Sequence, residues 1–501
     1  MNDLPKSKWY KRWLRRGLMA VAVLATLLAV LVTEENWRGK HDWDAYKRAA
    51  EARGERLDMA SVVPPPVPDD QNFFCAPIVA QALKSGSDTN LVNPLSFWRG
   101  DQLNCPTFWN IQQKGDLTDL KPWTTYFRAF NATAEGKTNG YPVAAQPQSP
   151  AADVLLALSI YDPALTELRS ASQRPYARMP LNYNNDFESV AELMPWLANT
   201  KRCAQFLDLR ILAEEQDHQP DQALADLKLQ LRVVDYALQQ PFLISYLVRI
   251  AIISVALQPV HEGLAQHCWS DAQLTDLERV LAGVDLLAGC QYVLKGEEVF
   301  AIDTFEKQRI TRRILFSEEH SGTNRMVTTS LRWTPAAYFY QNELSFARTY
   351  DQIFSSLDLT NRIVSPEAFN RLKADLAAQQ KRASIYSFQA LAAASAVAAS
   401  VKKFAFVQTQ LDLARTACAL ERYRLAHNSY PESLDALVPQ FIEKLPHDII
   451  NGQPLHYHRS EDGKFVLYSV GWNGTDDGGT MVFTKNGQQD RDKGDWVWEQ
   501  P

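Results

Sequence analysis

The first strong pattern along the chain is an uninterrupted apolar segment close to its beginning. Residues 17–33 carry no charged side chain, whereas residues 1–16 carry six basic residues and a single acidic one. A helix of this length is about 26 Å long, close to the ~30 Å hydrocarbon core of a bilayer. The pattern therefore predicts a cytoplasmic basic tail at 1–16 and a transmembrane anchor at 17–33. Basic residues before the segment, and Glu34 and Glu35 after it, predict that the rest of the chain is exported.

A cleaved signal peptide is the alternative to a retained anchor. Such peptides have a shorter apolar region that ends in a small-x-small cleavage site. Here the segment ends Leu31-Val32-Thr33-Glu34 without that pattern. The sequence favours the anchor and leaves cleavage open.

A helical period dominates residues 151–400. Leu224, Leu227, Leu231 and Val234 recur at spacings of three and four, which predicts an amphipathic helix from about Asp221. Residues 270–273 have the sequence of a capping box, and Ser365-Pro366 is typical of a helix start. We therefore predict an α-helical domain over 151–400. A solenoid is the alternative, although no consistent repeat period is present.

Two further apolar segments lie in this domain, at 241–257 and 387–401. The first contains Arg249 near its middle and the second is dominated by alanine and serine. A central arginine costs at least ~2.5 kcal/mol in a bilayer, and alanine is only weakly hydrophobic. We predict buried helices for both segments. Arg249 then needs a carboxylate partner, because an unpaired buried charge is costly.

Residues 34–150 show little sustained periodicity. A proline-rich stretch at 64–68 predicts extended chain, and the region is rich in large aromatic residues. These aromatics are too numerous for a free linker, so we expect an irregular juxtamembrane region packed on the core. They are Phe73, Phe74, Phe97, Trp98, Trp109, Trp123 and Phe127.

The last hundred residues have a different pattern. A helical segment at 404–427 is followed by short strand-like segments separated by glycine-containing turns. The strand-like segments are 455–458, 464–470, 480–484 and 496–499. This order predicts an α+β domain over 401–501, with one helix on a small antiparallel sheet. The fold class predicted for the whole chain is therefore mainly α.

Charge and cysteine content limit the possible functions. The whole chain has a net charge of −6, and without residues 1–16 the remainder is more acidic still, at about −11. An exported chain this acidic is not expected to bind nucleic acid. The six cysteines contain no C-x-x-C spacing, which excludes the usual zinc and thioredoxin-like motifs. Cys75 and Cys105 are the best candidates for a disulfide, and the other cysteines are expected to be buried thiols.

The C-terminal domain resembles the globular part of the type II secretion G-type pseudopilins. The resemblance is carried by residues 420–427, 430–439, 452–457, 467–474 and 495–498, about a fifth of the chain. It implies a calcium site in the loop that follows the Ser-x-Gly strand. The candidate calcium ligands are Asn473, Asp476, Asp477, Asp492 and Asp495. Carboxylate and amide oxygens in a turn-rich segment are also what calcium prefers, although a solvated acidic turn has the same composition.

The beginning of the chain departs from that family. Pseudopilins have a glutamate shortly after their processing site, whereas the residue five positions after Gly17 is Ala22. Pilus assembly by that route is therefore not implied. The whole chain, including residues 174–178 and 241–249, also resembles membrane-anchored proteins of the Planctomycetes and Verrucomicrobia. That resemblance implies a bacterial protein. Together with the apolar segment and the charge pattern at the N-terminus, it predicts a single-pass protein of the inner membrane with its C-terminal domain in the periplasm.

The sequence contains no complete motif of the catalytic types considered. His261-Glu262 and His267 lack the H-E-x-x-H spacing, and no G-x-S-x-G elbow is present. Paired carboxylates for acid–base chemistry are conceivable at residues 297, 298, 303 and 306, although charged helix faces are far commoner. His456 and His458 fall on one strand face and are a weak transition-metal candidate.

We therefore expect a membrane-anchored envelope protein with a binding or scaffolding ectodomain. Calcium is expected to stabilise its C-terminal domain, and other envelope proteins are its expected partners. An enzyme is the less favoured interpretation. The alternatives are a hydrolase of envelope polymers that uses carboxylates, and an accessory protein of a type II secretion-like system.

Overall fold

The architecture is mainly helical, with short antiparallel strands near the C-terminus, as the sequence predicts. The structure is a computed structural model that describes residues 6–87, 93–97, 117–183, 186–237, 240–312, 332–460, 463–485, 487 and 489–498. The helices are α1 (Lys6–Ala52), α2 (Pro77–Ser87), α3 (Lys121–Ala132), α4 (Gly136–Asn139), α5 (Pro150–Leu158), α6 (Asp162–Ala171), α7 (Asp186–Gln216), α8 (Pro220–Ala237), α9 (Leu243–Ala265), α10 (Asp271–Ala282), α11 (Leu286–Thr311), α12 (Ala336–Ser355), α13 (Pro366–Gln380) and α14 (Phe388–His427). The strands are β1 (His456–Arg459), β2 (Phe465–Ser469), β3 (Met481–Phe483), β4 (Gln489–Gly494) and β5 (Trp496–Trp498).

The chain divides into two compact units. The smaller unit comprises residues 1–61, 298–351 and 376–394, and the larger unit comprises 62–297, 352–375 and 395–501. In the smaller unit, the second half of α1 packs against α12. The Asn36 side chain accepts a hydrogen bond from the backbone N–H of Ala337 at 2.7 Å. A methyl group on Gly39 would lie 3.3 Å from the Ala337 Cα, so the small residue allows close approach of the two helices.

The α7–α8 hairpin and α9 form the centre of the larger unit, and they confirm the helical period. Leu227 of α8 is completely buried, and the turn after α7 passes through His218 in the left-handed region. Ser270 and Gln273 form the predicted capping box at the start of α10. The Ser365 side chain accepts from the Ala368 N–H at 3.2 Å, as expected for a helix start.

Among the described residues, three helices are long and apolar enough to cross a membrane by length and composition. They are Tyr10–Ala52 within α1, α9 and α14, and the buried share of their most apolar windows is 0%, 61% and 61%. The apolar segments of α9 and α14 are thus largely buried, as predicted. Arg249 on α9 has the expected carboxylate partner, since its guanidinium pairs with Asp235.

The prediction that residues 34–150 are irregular is wrong in part. Helix α1 continues to Ala52, and α2 and α3 lie within this region. Proline at the first turns of α2 and α3 is compatible with helix. Burial of apolar side chains stabilises both helices: α2 buries the aliphatic Ile78 and Val79, and α3 buries aromatic groups. Phe73, Phe74, Phe97, Trp123 and Phe127 are buried, as expected. Trp98 and Trp109 lie outside the described residues.

The C-terminal strands form two separate antiparallel sheets, where the sequence predicted one. One sheet has the order β1-β2-β5, with His456 opposite Tyr468 and Leu467 opposite Trp498, and the other pairs β3 with β4. The polar strand β4 has no counterpart among the predicted segments. Phe406 of α14 makes an edge-on contact with Trp496 of β5 at 5.2 Å between ring centroids. Because α14 begins at Phe388, the expected domain boundary at residue 400 lies inside a continuous helix.

The prediction of buried cysteine thiols is confirmed for three residues. Cys203, Cys290 and Cys418 are buried, and burial raises the pKa of each thiol. Cys268 follows α9 and is only partly buried. Cys105 lies outside the described residues, so its pairing with Cys75 stays a prediction.

Candidate functional site

Asp495, one of the predicted calcium ligands, lies at the centre of the loop that follows β2. Its side chain is fully buried and accepts hydrogen bonds from the backbone N–H groups of Asp477 at 3.1 Å, Gly479 at 2.7 Å and Thr480 at 3.3 Å. Burial raises the pKa of this carboxyl group, and the three N–H donors oppose that effect. Asp495 therefore holds the loop in place through its backbone.

The other predicted ligands divide among three places. The Asn473 amide donates to the Asp477 carboxylate at 2.7 Å, so these two residues share the loop with Asp495. The Asp476 carboxylate instead accepts from the Tyr468 hydroxyl at 3.0 Å and lies 3.3 Å from His456 Nδ1. Asp492 forms an ion pair with Lys402 of α14. Among the described residues, no group of three or more acidic, histidine or cysteine side chains is arranged to hold a metal.

The weaker catalytic and metal candidates have structural partners of their own. His456 stacks on Tyr468 with 5.0 Å between ring centroids. Glu297 accepts a hydrogen bond from the Leu243 N–H at 2.7 Å, and burial raises the pKa of its carboxyl group. Asp303 pairs with Lys307 at 2.6 Å, and Glu306 pairs with Arg309 at 3.3 Å. These contacts explain the residues as parts of helix surfaces and packing.

A cavity of about 290 Å³ in the larger unit is a candidate ligand site. It lies between the α10–α11 connection, one face of α14 and residues 444–449, with Arg362 from the segment before α13. Its walls combine apolar groups, among them Val284 and Ile449, with an unusual number of charged groups. The charged and titratable lining residues are Asp285, Arg362, Asp412, Arg415, Lys444 and His447.

Helix α14 supplies the deepest polar groups of this cavity. Gln408, Asp412 and Arg415 are spaced four and three residues apart, which places them on the same helix face. Asp412 is only 6% exposed, and it accepts from Gln408 Nε2 at 3.2 Å and from Arg415 Nη1 at 3.5 Å. Burial raises the pKa of the Asp412 carboxyl group to about 6, against the opposing influence of Gln408 and Arg415. The Arg415 guanidinium is mainly engaged by Glu278, with two nitrogens at 3.0 Å from one carboxylate oxygen.

The mouth of the cavity carries basic groups. Arg362 forms an ion pair with Asp285, whose carboxylate also accepts from the Leu287 and Ala288 N–H groups at the start of α11. His447 Nε2 lies 3.3 Å from the Arg362 carbonyl oxygen. Lys444 is exposed, and it forms no ion pair within the part of the chain that the structure describes. The cavity therefore has the buried Asp412 carboxylate on its floor, beside Arg415, and more basic than acidic groups at its mouth.

A second group of buried carboxyls lies where α7 meets α9. Asp208 and Glu215 on α7 and Glu262 on α9 are each at most 1% exposed. Glu262 accepts from Thr118 and Gln258, whereas both Glu215 carboxylate oxygens are buried without a hydrogen-bond donor within the described chain. Burial, followed by the proximity of Glu262, raises the pKa of Asp208 and of Glu215 well above the usual range. These carboxyls are therefore expected to hold protons at a pH where exposed ones are ionised.

No protein-family model, no curated protein and no solved structure matches this chain.

The sequence reasoning missed the cavity entirely. Arg362, Lys444 and His447 come from segments distant along the chain and carry no motif. One signal was present: Gln408, Asp412 and Arg415 form a polar stripe on a helix that also buries many apolar residues. A polar stripe on a buried helix requires partners or a cavity, because unpaired polar groups are costly to bury.

Proposed function

We propose that the protein is anchored in a membrane by α1 and presents its folded units on the far side as a binding or scaffolding ectodomain. The observation that carries the proposal is the exposure of α1. Its large apolar side chains from Trp13 through Leu31 are each 52–68% exposed and lie on every side of the helix. A helix that is apolar on all sides needs an apolar surrounding, and a bilayer supplies one.

Exposure of the apolar side chains of α1 to water is energetically costly. Leaving a leucine or valine in water costs about 1.5–3 kcal/mol relative to burial. Summed over this segment, the cost exceeds the ordinary net stability of a domain, about 5–15 kcal/mol. The same helix continues without interruption to Trp43 and Ala50, which are buried in the smaller unit. The anchor is therefore a direct extension of folded structure.

Orientation follows from charge. Basic residues at 1–16 favour a cytoplasmic N-terminus, which places the rest of the chain in the periplasm of a bacterial cell. A single crossing is supported by the burial of α9 and α14 and by the Arg249–Asp235 ion pair on α9. Burial inside the protein removes the need for lipid contact.

Membrane fractionation tests the anchor. Leu24→Arg with Leu28→Arg places two charges in the apolar segment, at a cost of about 2.5–3.5 kcal/mol each. We expect the parent to stay with membranes washed in alkaline carbonate and the double variant to be released. Ala374→Arg with Ala378→Arg on the exposed face of α13 is the matched control and should behave as the parent. Equal retention of both variants would contradict the anchor.

Calcium binding at the 473–480 loop stays a prediction. It is supported by the hydrogen-bonded set of Asn473, Asp477 and Asp495, which brings side-chain oxygens together at one turn-rich loop. We expect millimolar calcium to raise the unfolding midpoint of the full chain in micelles relative to chelator. The rise should vanish in Asp477→Ala and persist in Asp435→Ala, a control outside the loop. A rise of equal size in both variants would contradict a site at this loop.

Partnership with pseudopilins, or with other envelope proteins, is likewise a proposal that only a binding experiment can decide. The resemblance of residues 420–498 in order and turn chemistry supports it.

A further inference from the structure

We infer that the cavity between α10, α14 and residues 444–449 binds a small zwitterion of the α-amino acid class. In this arrangement the ligand's ammonium group lies on Asp412, and its carboxylate lies at the mouth beside Lys444 and Arg362. The inference deepens the proposed role as a binding protein and rests on it.

The floor of the cavity is suited to a cationic donor. The buried Asp412 carboxylate has about four acceptor positions and receives two donors, of which the Arg415 contact at 3.5 Å is long. Arg415 is held by Glu278 through two nitrogens, so it cannot fully neutralise Asp412. A buried carboxylate without a full counter-charge is unstable, and a ligand ammonium would supply both the charge and the missing hydrogen bonds.

The mouth is suited to an anion. Arg362 is shared with Asp285, whereas Lys444 carries an ammonium group without an ion pair among the described residues. His447 also lines this part of the cavity. A ligand carboxylate at this depth would therefore meet at least one cation that the protein does not itself compensate.

The negative charge of Asp412 and the positive charges of Lys444 and Arg362 lie in different parts of the cavity. This separation disfavours ligands that carry charge of only one sign. An inorganic phosphate drawn to Lys444 and Arg362 would leave Asp412 unpaired, and a plain amine on Asp412 would meet the basic mouth. The volume of about 290 Å³ is at the small end of ligand pockets, and Ala282, Val284 and Ile449 offer apolar contact for a short aliphatic chain. An amino acid satisfies the charges and the size together.

Calorimetry on the full chain in detergent micelles tests the proposal. The probes are L-leucine and D-leucine, together with 4-methylpentanoate, which lacks the amine, isoamylamine, which lacks the carboxylate, and inorganic phosphate. We expect at least one leucine enantiomer to bind at least about tenfold more tightly than either singly charged analogue, since each loses one charge-assisted contact. Phosphate should not compete. Equal binding of an analogue, preferential binding of phosphate, or no binding by leucine would overturn the inference.

Variants locate the site. Asp412→Asn should weaken leucine binding at least about tenfold, and Lys444→Gln should weaken it severalfold, whereas the exposed control Lys381→Gln should not change it. Lys444 lies at the surface, so its variant remains informative even where Asp412→Asn disturbs folding. Unchanged leucine binding in Lys444→Gln would contradict the assignment. Unchanged leucine binding in a folded Asp412→Asn variant would contradict it as well.

Proton release gives an independent readout. Binding of an ammonium group to Asp412 favours its ionised form, so leucine binding near pH 6 should release protons, and the measured heat should differ between MES and Bis-Tris buffers. The difference should disappear in Asp412→Asn. If leucine fails to bind while α1 still retains the chain in carbonate-washed membranes, the ligand assignment fails and the anchored-protein proposal stands.

Discussion

The buried carboxyl of Glu215 makes a quantitative prediction about stability and pH. Glu215 is 1% exposed, and neither of its carboxylate oxygens has a hydrogen-bond donor within the described chain. Burial raises the pKa of this carboxyl group, and Glu262, Asp208 and Glu214 raise it further. The folded protein therefore holds this proton at a pH where the unfolded chain, with an ordinary glutamate pKa near 4.3, has lost it.

The sign and size follow from proton linkage. Because the folded state binds more protons than the unfolded state, the free energy of unfolding falls as pH rises from about 4 towards the raised pKa. Within that interval each pH unit removes about 1.4 kcal/mol per carboxyl group. The glutamine side chain in Glu215→Gln cannot ionise. The free energy of unfolding of this variant should therefore fall less steeply with pH than that of the parent, by about 1.4 kcal/mol per pH unit. Asp208 and Glu262 remain in both proteins, and their contributions largely cancel in the comparison.

Urea unfolding of the full chain in micelles at pH 5, 5.5 and 6 measures the two slopes. Tryptophan emission is a suitable probe, because Trp269 packs at Gly263 beside Glu215. Glu192→Gln, on the exposed part of the same helix, is the matched control and should keep the parent slope. Equal slopes for the parent and Glu215→Gln would refute the reasoning, since Glu215 would then be ionised in the folded protein.

Two further substitutions test local parts of the structure. Ser270→Ala removes the capping box of α10 and should lower the free energy of unfolding by about 1 kcal/mol, as measured by urea titration, with Thr275→Ala, at a half-buried position, as a control in the same helix. Leu227→Ala leaves a cavity at a fully buried position and should cost about 2–5 kcal/mol in the same assay. A Leu227→Ala loss below 1 kcal/mol would show that the hairpin is less tightly packed than described.

The parts of the fold that follow from local pattern could be predicted. The α8 period, the capping box at Ser270 and the apolar segment at 17–33 each depend on neighbours within a few residues, so the sequence alone carries them. Helices α2 and α3 were missed because burial of apolar side chains in the tertiary structure stabilises them, aliphatic ones in α2 and aromatic ones in α3. Strand β4 was missed because its residues are mainly polar and become a strand only through pairing with β3.

The candidate sites were harder to predict because tertiary contact creates them. Nothing near Glu215 in the sequence indicates burial beside Glu262, which lies on another helix. The acidic residues near the C-terminus were correctly seen as a cluster in sequence. Their side chains nevertheless have different partners in space: Asp495 binds backbone N–H groups and Asp492 pairs with Lys402. The sequence shows which residues a loop contains, but it does not determine the direction in which each side chain points.

The orientation of the chain across the membrane is the most direct test of the central claim. Alkaline phosphatase, which is active only outside the cytoplasm, is fused after Pro501 in the full chain and, separately, after Gly17 in a truncated control that keeps only the first residue of the apolar segment. The account predicts high activity for the fusion after Pro501, low activity for the fusion after Gly17, and membrane retention of the first fusion. High activity of the Gly17 fusion, or an inactive but intact Pro501 fusion, would contradict an N-terminus inside the cell and an ectodomain outside it.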